Sequence, residues 1–400
     1  MSSSDGFISS ASAGNISSRL TSVLSHLSKK HRVVVCRDLG PDVMPLLRER
    51  NDIELVEWGK DNVAPPRDWV LQNVRGAAGV LIVFSEKASA ILLLIAWKAL
   101  LNTYSQIDAE FLEAAGPSLK VVSTMSVGYE HVSLPDLAKH GVKLGYTPDV
   151  LTDAVADICV MLALMAGRNA GEGLSLVKQG KWPTWSPFVM CGPQTSTVNS
   201  SLSTLQRPSR TAGFLGFGRI AQATLSRLVP FGVTDCIYTS NSSSSNSLSK
   251  SSRDTEILAS HSPHLRSLKP ASLDELARKS DILFVLAPGG PMTYHVVNEE
   301  FLRKMQKHAV LVNGARGTLV DSDALAKALR EKWIWGAGLD VVEGEPNIKE
   351  DHPLLKEPRC NVLPHIGSAT FETRIQMATL AVRNVLAGVL EEPMPAQLDV

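Results

Sequence analysis

Short apolar runs alternate with longer amphipathic stretches along most of this chain, and the rhythm predicts strands separated by helices. The first convincing run is Arg32–Cys36 (RVVVC), so folded structure is expected to begin near residue 31. Ile53–Trp58 alternates apolar and polar positions, as a half-exposed strand does. Val80–Phe84 and Leu119–Thr124 are more continuously apolar and read as central strands, with Val142–Tyr146 a further one. Helical segments between them give a doubly wound α/β unit. After Tyr146, Val155, Ile158, Cys159, Leu162 and Met165 form a helical stripe that Ala156, Leu164 and Ala166 widen. A helix apolar on most of its circumference is buried, here between domains or against a partner chain.

A second set of runs then appears: Thr211–Leu215, Asp235–Thr239, Ile282–Leu286, Ala309–Val312, Gly336–Val341 and Asn361–Leu363. Thr370 is placed to cap a last helix whose Ile375, Val382, Val385, Leu386 and Val389 face a core. That helix is expected to return to the first unit. The predicted fold class is α/β, with two doubly wound parallel-sheet domains. The first, discontinuous domain is assigned residues 31–151 and 366–400, and the second residues 152–365.

Some stretches break the rhythm. Ala88–Leu101 (ASAILLLIAWKALL) is apolar but shorter than the roughly 20 residues that cross a bilayer, so a buried helix is expected there, with a membrane anchor the minor alternative. Lys181–Gly192 holds Trp182 and Trp185 in a proline-broken loop, where aromatics act as packing anchors or shape a pocket. Pro193–Ser209 is a serine- and threonine-rich linker, and nine serines crowd Ser240–Arg253, which reads as a mobile loop. The serine-rich Met1–Ser28 has Ile16, Leu20, Val23, Leu24 and Leu27 at helical spacing around Arg19. A disordered extension is preferred there over a mitochondrial presequence, because the segment has one arginine and an acidic Asp5.

Composition narrows the function classes. Lys plus Arg equals Asp plus Glu at 40 each, with no long basic run, so neither nucleic acid nor an anionic membrane is expected as the main partner. Five cysteines are scattered and never form a CxxC pair. Buried thiols in a reducing compartment are the expectation, and no metal site is expected. A cytoplasmic location follows, with mitochondria the alternative; the chain closes on Leu398-Asp399-Val400, without a peroxisomal SKL signal.

The chemistry-bearing positions sit just past strand ends. Thr211–Leu215 runs directly into Gly216-Phe217-Gly218-Arg219-Ile220-Ala221 and a helix. In this strand–turn–helix context the GxGxxA pattern is a strong dinucleotide signal, although alone it is weak. Gly216 permits the tight turn, Gly218 lets backbone approach a pyrophosphate, and Ala221 keeps the helix near the strand. Where an acidic residue would bind the ribose hydroxyls of NAD, the chain has Ser240, Asn241 and Ser242. With no carboxylate to repel a 2′-phosphate, and with Lys250 or Arg253 nearby, NADPH is the expected cofactor and NADH an acceptable one. Pro288, in the loop after Leu286, is placed to touch the adenosine half, and Asp340 to face the nicotinamide ring.

Arg316, Glu345 and His365 each follow a predicted strand, and carboxyl ends of parallel strands line the ligand crevice. Arg316 offers a planar, permanently charged fork for a carboxylate. His365 exchanges a proton near neutral pH, and Glu345 in contact with it would favour the imidazolium and orient it. A cation, a proton donor and a carboxylate together suit reduction of a 2-oxo acid. Singly, each has a duller explanation: Arg316 capping a carbonyl, Glu345 a surface charge, His365 a structural histidine. Their joint placement beside a dinucleotide fingerprint favours the functional reading.

With GxGxxA, NGARG, GLDV…GEP and LPHIGSAT in place, the chain resembles the D-isomer-specific 2-hydroxyacid dehydrogenase family from residue 31 onward. Among its branches it is most similar to the glyoxylate/hydroxypyruvate reductases, through STMSVGYEHV, GYTPDVLTD, GKWPTWSP and EEPMPAQL. The resemblance implies two Rossmann-like domains, a homodimer built on the nucleotide domains and an active site in the interdomain cleft. It implies His365 as proton donor, Glu345 as its partner and Arg316 as the substrate-carboxylate residue. It also implies carboxylate-binding backbone amides at Val127 and Gly128, Ser368 beside the substrate, and a Trp185 that reaches a neighbouring subunit's site. Gly218, Arg219 and Ile220 match the pyrophosphate loop, and Gly314 of NGARG joins the cofactor-contacting positions. The family's corepressor members, which sense NADH without turnover, and its phosphoglycerate dehydrogenases are the rival readings. Ala88–Gln106 and the lengthened Pro193–Arg210 read as insertions with no family counterpart.

Overall fold

The computed structural model describes residues 30–59, 64–83, 107–194, 209–239 and 247–400. The segments Met1–Ser28 and Ala88–Gln106 lie outside them, as do most of Pro193–Ser209, so the expectations for those stretches are not addressed. Compact packing divides the chain into Met1–Thr147 with Met377–Val400, and Pro148–Gln376.

The first unit is a six-stranded sheet in the order β13-β5-β4-β3-β1-β2. Its strands are β1 (His31–Val35), β2 (Ile53–Glu57), β3 (Gly79–Ile82), β4 (Val121–Thr124), β5 (Lys143–Gly145) and β13 (Gln397–Leu398). Strands β1–β5 are parallel in the 2-1-3-4-5 doubly wound order, and β13 adds an antiparallel edge that the sequence did not announce. Alternation sends Val33, Val35, Leu81 and Val121 to one face, against Ala381, Val382, Val385 and Val389 of the helix Phe371–Val389. Val34, Val80, Ile82 and Val122 face the opposite core, with Phe111 and Leu137. Thr370 caps the last helix as expected, its hydroxyl accepting from Thr373 N at 3.1 Å. Ile375 is a correction: it is exposed, lying off the face on which Thr373 and Met377 are buried.

The second unit is a seven-stranded sheet in the order β12-β11-β10-β9-β6-β7-β8. Its strands are β6 (Thr211–Leu215), β7 (Asp235–Thr239), β8 (Ser267–Pro270), β9 (Ile282–Val285), β10 (Val310–Asn313), β11 (Gly336–Leu339) and β12 (Cys360–Val362). All pairings are parallel, and numbered from β6 the order is the Rossmann 3-2-1-4-5-6 with one more strand at the edge. The chain reverses direction across the sheet between β6 and β9, and the glycine turn follows β6 there. The helix Thr152–Gly167 buries Ala154, Val155, Ala156, Cys159, Val160, Leu162, Ala163 and Ala166, while Ile158 and Met165 are only half-buried.

Two expectations change here. The serine-rich stretch does not stay a loop: from Ser247 it is the helix Ser247–Ser260. Serine is a mediocre helix former, but tertiary contacts override propensity. Asp254 accepts a 2.7 Å hydrogen bond from the buried Tyr238 hydroxyl, and Arg253 lies over the rings of Phe217 and Tyr238 at 4.9 and 5.0 Å. Cys36, Cys159 and Cys236 are buried, but Cys191 is exposed because it lies in the irregular segment after the tryptophan loop.

Candidate active site

Strand register assembles the site. Leu215 lies opposite Val285, Val285 opposite Asn313, Asn313 opposite Leu339, and Leu339 opposite Val362. Five strands therefore end on one line, and at about 4.8 Å per strand that line spans roughly 19 Å. The residues just beyond it are the glycine turn, Ala287–Pro288, Gly314–Arg316, Asp340–Glu345 and His365.

At one end, Gly216 has φ +87°, and a Cβ there would stand 2.7 Å from Ala287 Cα, so only glycine fits both the turn and the approach of the neighbouring loop. Gly218 is the N-cap of the helix Arg219–Leu228 and supplies no side-chain cap, while a Cβ on it would meet nothing within 4 Å. Uncapped first-turn amides facing open space at a helix N-terminus suit a pyrophosphate, and these residues fit a dinucleotide. Ile220 is half-buried in that first turn, and Arg219 instead pairs with Asp149 at 2.6 Å, both side chains well exposed. Pro288 is exposed, its carbonyl accepting from the Thr293 hydroxyl at 2.8 Å. Gly314 lies against the Cys159 thiol, which burial pushes up to about 12 and so keeps protonated. Ser240 and Asn241 lie outside the described residues, as does the side chain of Lys250. Arg253 donates to the Phe217 carbonyl at 3.4 Å and pairs with Asp254, which places a guanidinium on the glycine turn.

At the other end, His365 Nδ1 and Glu345 Oε1 are 2.8 Å apart. The other Glu345 oxygen accepts from Val342 N at 3.1 Å, which closes the turn that presents the acid. His365 has φ +54°, a left-handed conformation unusual for a residue with a Cβ. Asp340 holds it: its carbonyl accepts from His365 N at 2.9 Å, and its carboxylate oxygens accept from Ile366 N and Gly367 N at 2.8 Å each. Asp340 is 2% exposed, and burial raises its carboxyl above the ordinary range against the opposing pull of the two amides. Asp340, expected beside the nicotinamide ring, thus uses both carboxylate oxygens to build the histidine turn. The available signal was an acid closing an otherwise apolar strand.

Arg316 is half-buried and precedes the 3-10 turn Gly317–Leu319, its carbonyl accepting from the Asn313 side chain at 2.9 Å. The close approach is at Gly317, where a Cβ would stand 2.2 Å from the carbonyl carbon of Val342. The arginine's turn and the glutamate's turn are thus in direct contact. Ser368 is half-buried just past Gly367. Trp185 is exposed. In the first unit, Val127 and Gly128 occupy the loop after β4, where the Ser126 hydroxyl donates to the Gly128 carbonyl at 2.6 Å.

This line of strand ends, with a phosphate-ready glycine turn at one side and an acid-paired imidazole at the other, defines a nicotinamide-dependent oxidoreductase. The family model of the D-isomer specific 2-hydroxyacid dehydrogenase NAD binding domain matches residues 160–367. The chain belongs to the D-isomer-specific 2-hydroxyacid dehydrogenase family.

Within that family it is similar to the human glyoxylate reductase/hydroxypyruvate reductase, at 36% identity over 367 residues, 92% of this chain and 97% of the relative. It is 37% identical to the glyoxylate reductase of Thermofilum pendens over 368 residues, 92% and 94% of the two chains. Among solved structures, the NADPH-dependent glyoxylate/hydroxypyruvate reductase of Sinorhizobium meliloti, in complex with NADP and malonate, aligns at 28% identity. Its TM-score is 0.67 over 92% of this chain and 97% of that one.

Proposed function

We propose that this enzyme reduces hydroxypyruvate to D-glycerate and glyoxylate to glycolate, preferring NADPH and accepting NADH. The observation that carries the reading is the 2.8 Å His365–Glu345 pair on a turn fixed by Asp340, next to strands that end in Arg316 and the glycine turn. A nicotinamide dinucleotide bound on the glycine turn supplies the hydride. The chain's own residues position the acid and handle the proton. Arg316 grips the substrate carboxylate. Glu345 orients the imidazole through Nδ1, so Nε2 of His365 delivers the proton to the oxygen that becomes the 2-hydroxyl. Ser368 lies beside the substrate.

The NADPH preference is supported by Arg253, a cation on the Phe217 carbonyl of the glycine turn. A homodimer is supported by Leu174, Val177, Trp182, Trp185, Phe188 and Val189, large apolar side chains all exposed between residues 174 and 189. The test is oxidation of NADPH and of NADH with hydroxypyruvate, glyoxylate and pyruvate, side by side. Turnover of the first two acids at higher kcat/KM with NADPH is expected. Negligible turnover of all three would overturn the substrate assignment, and equal or better efficiency with NADH would overturn the cofactor preference.

A further inference from the structure

A second histidine–glutamate pair lies beside the one in the proposed mechanism. His295 Nε2 is 2.7 Å from Glu343 Oε2, with side chains 27% and 29% exposed. Glu343 belongs to the same turn as Glu345, two residues earlier. His295 also binds through its backbone: its N–H donates to the Thr318 carbonyl at 2.9 Å, and Val297 N donates to the Leu319 carbonyl at 3.0 Å. Those carbonyls lie in the 3-10 turn immediately after Arg316. Around the ring stand Tyr294, stacked on it at 3.9 Å between centroids, and Asp321, 3.9 Å from Nδ1.

His295 thus touches both turns that meet at Gly317. One contact is a backbone bond to the arginine's turn, and the other is a side-chain bond to the glutamate's turn. His295 has φ +48°, a conformation that costs energy for a non-glycine residue and persists only where surrounding contacts over-determine it. The strain aims the ring at Glu343. Asp321, the other acid beside the ring, is engaged in capping the following helix, its carboxylate accepting from Ala324 N at 3.0 Å.

We propose that His295 is a positioning residue: it ties the turn presenting Arg316 to the turn presenting Glu345 and so keeps Glu345 on the imidazole of His365. The inference deepens the proposed reaction and rests on that reading for its kinetic consequence. A shift of about 1 Å in a positioning group costs up to roughly 100-fold in turnover.

Three variants of the full chain test it: His295→Ala, His295→Gln, whose amide can still donate to Glu343, and Glu343→Ala. The first readout is kcat with hydroxypyruvate against KM for NADPH. The second is the Nδ1–H resonance of His365 in histidine-15N-labelled protein, assigned by its loss in His365→Ala. His295→Ala and Glu343→Ala are expected to lower kcat roughly 10- to 100-fold with KM for NADPH unchanged, and to shift or broaden the His365 resonance. His295→Gln is expected to restore most of both. Wild-type kcat and an unmoved resonance in His295→Ala would overturn the proposal, as would a kcat loss that His295→Gln fails to rescue while the resonance stays in place. If the wild-type enzyme reduces none of the 2-oxo acids, the substrate assignment fails on its own. The resonance then decides the positioning role: movement supports it and constancy overturns it.

Discussion

His365 is held by its neighbours more than by its own backbone preference. Its left-handed conformation is stabilised by three backbone N–H groups, of His365, Ile366 and Gly367, that donate to Asp340, and its ring by Glu345. Replacing His365 with alanine is expected to reduce turnover by roughly 10²–10⁴, the usual contribution of a general acid, while NADPH affinity measured by nicotinamide fluorescence stays near wild type. Unchanged turnover would remove His365 from the mechanism. At this scale the sequence is informative where a polar residue stands just past an apolar run, the pattern that singles out His365, Glu345 and Arg316 as candidates. For Asp340 the one-dimensional pattern does not show that its oxygens accept from the amides of Ile366 and Gly367, in the turn after β12. His295 was not found at all. It sits in PMTYHVVNEE with no motif around it, and its relevance exists only through the contact between two distant turns.

Among the elements, β9 depends on a polar anchor at its start. Asp281 accepts from Thr211 N at 2.8 Å and from His308 at 2.6 Å, with Arg210 at 3.4 Å. Burial alone would push its carboxyl up, but the His308 hydrogen bond, the Thr211 amide and the Arg210 charge outweigh burial and hold it below the ordinary range. A carboxyl depressed in the folded state binds fewer protons there than in the unfolded chain. Its stabilisation is therefore present above the ordinary carboxylate range and fades as pH falls through the folded value. Asp281→Asn is expected to cost about 2 kcal/mol at pH 7, with the Tm gap to wild type closing on acidification toward pH 3. A gap independent of pH would show that the charge is not what anchors the strand. The central strands were readable because they are buried on both faces. Strands β8 and β13 were not: the first is SLKP and the second two residues long, so as edge elements they carry little apolar signal. The helix Ser247–Ser260 was hidden for the opposite reason, since its composition argues for a linker and only contacts to Tyr238 and Phe217 argue otherwise.

For the whole molecule, the apolar side chains on and after the helix Ala170–Lys178 are a run of large exposed hydrophobics among the described residues. Trp182, Trp185 and Phe188 are 79%, 82% and 87% exposed. A 43.2 kDa chain with such a surface is expected to sediment as a dimer. The double variant Trp185→Ala/Phe188→Ala should shift it toward monomer and, if Trp185 reaches a neighbouring site, raise KM for the 2-oxo acid as well. A wild-type chain that sediments as a monomer across the micromolar range would rule out the homodimer. The sequence pointed to this surface through its tryptophans but did not separate packing anchors from uncovered ones, a distinction that depends on what the fold leaves bare.

The common finishing line of β6, β9, β10, β11 and β12 makes the enzyme unusually sensitive to a lost codon. Removing one amino acid from within β11 would slip its ladder by a single step, and every side chain downstream of the slip would point to the opposite face. The carboxylate that seats the imidazole would then swing away from its amides, so a fault that begins as mechanical would first be felt as chemistry.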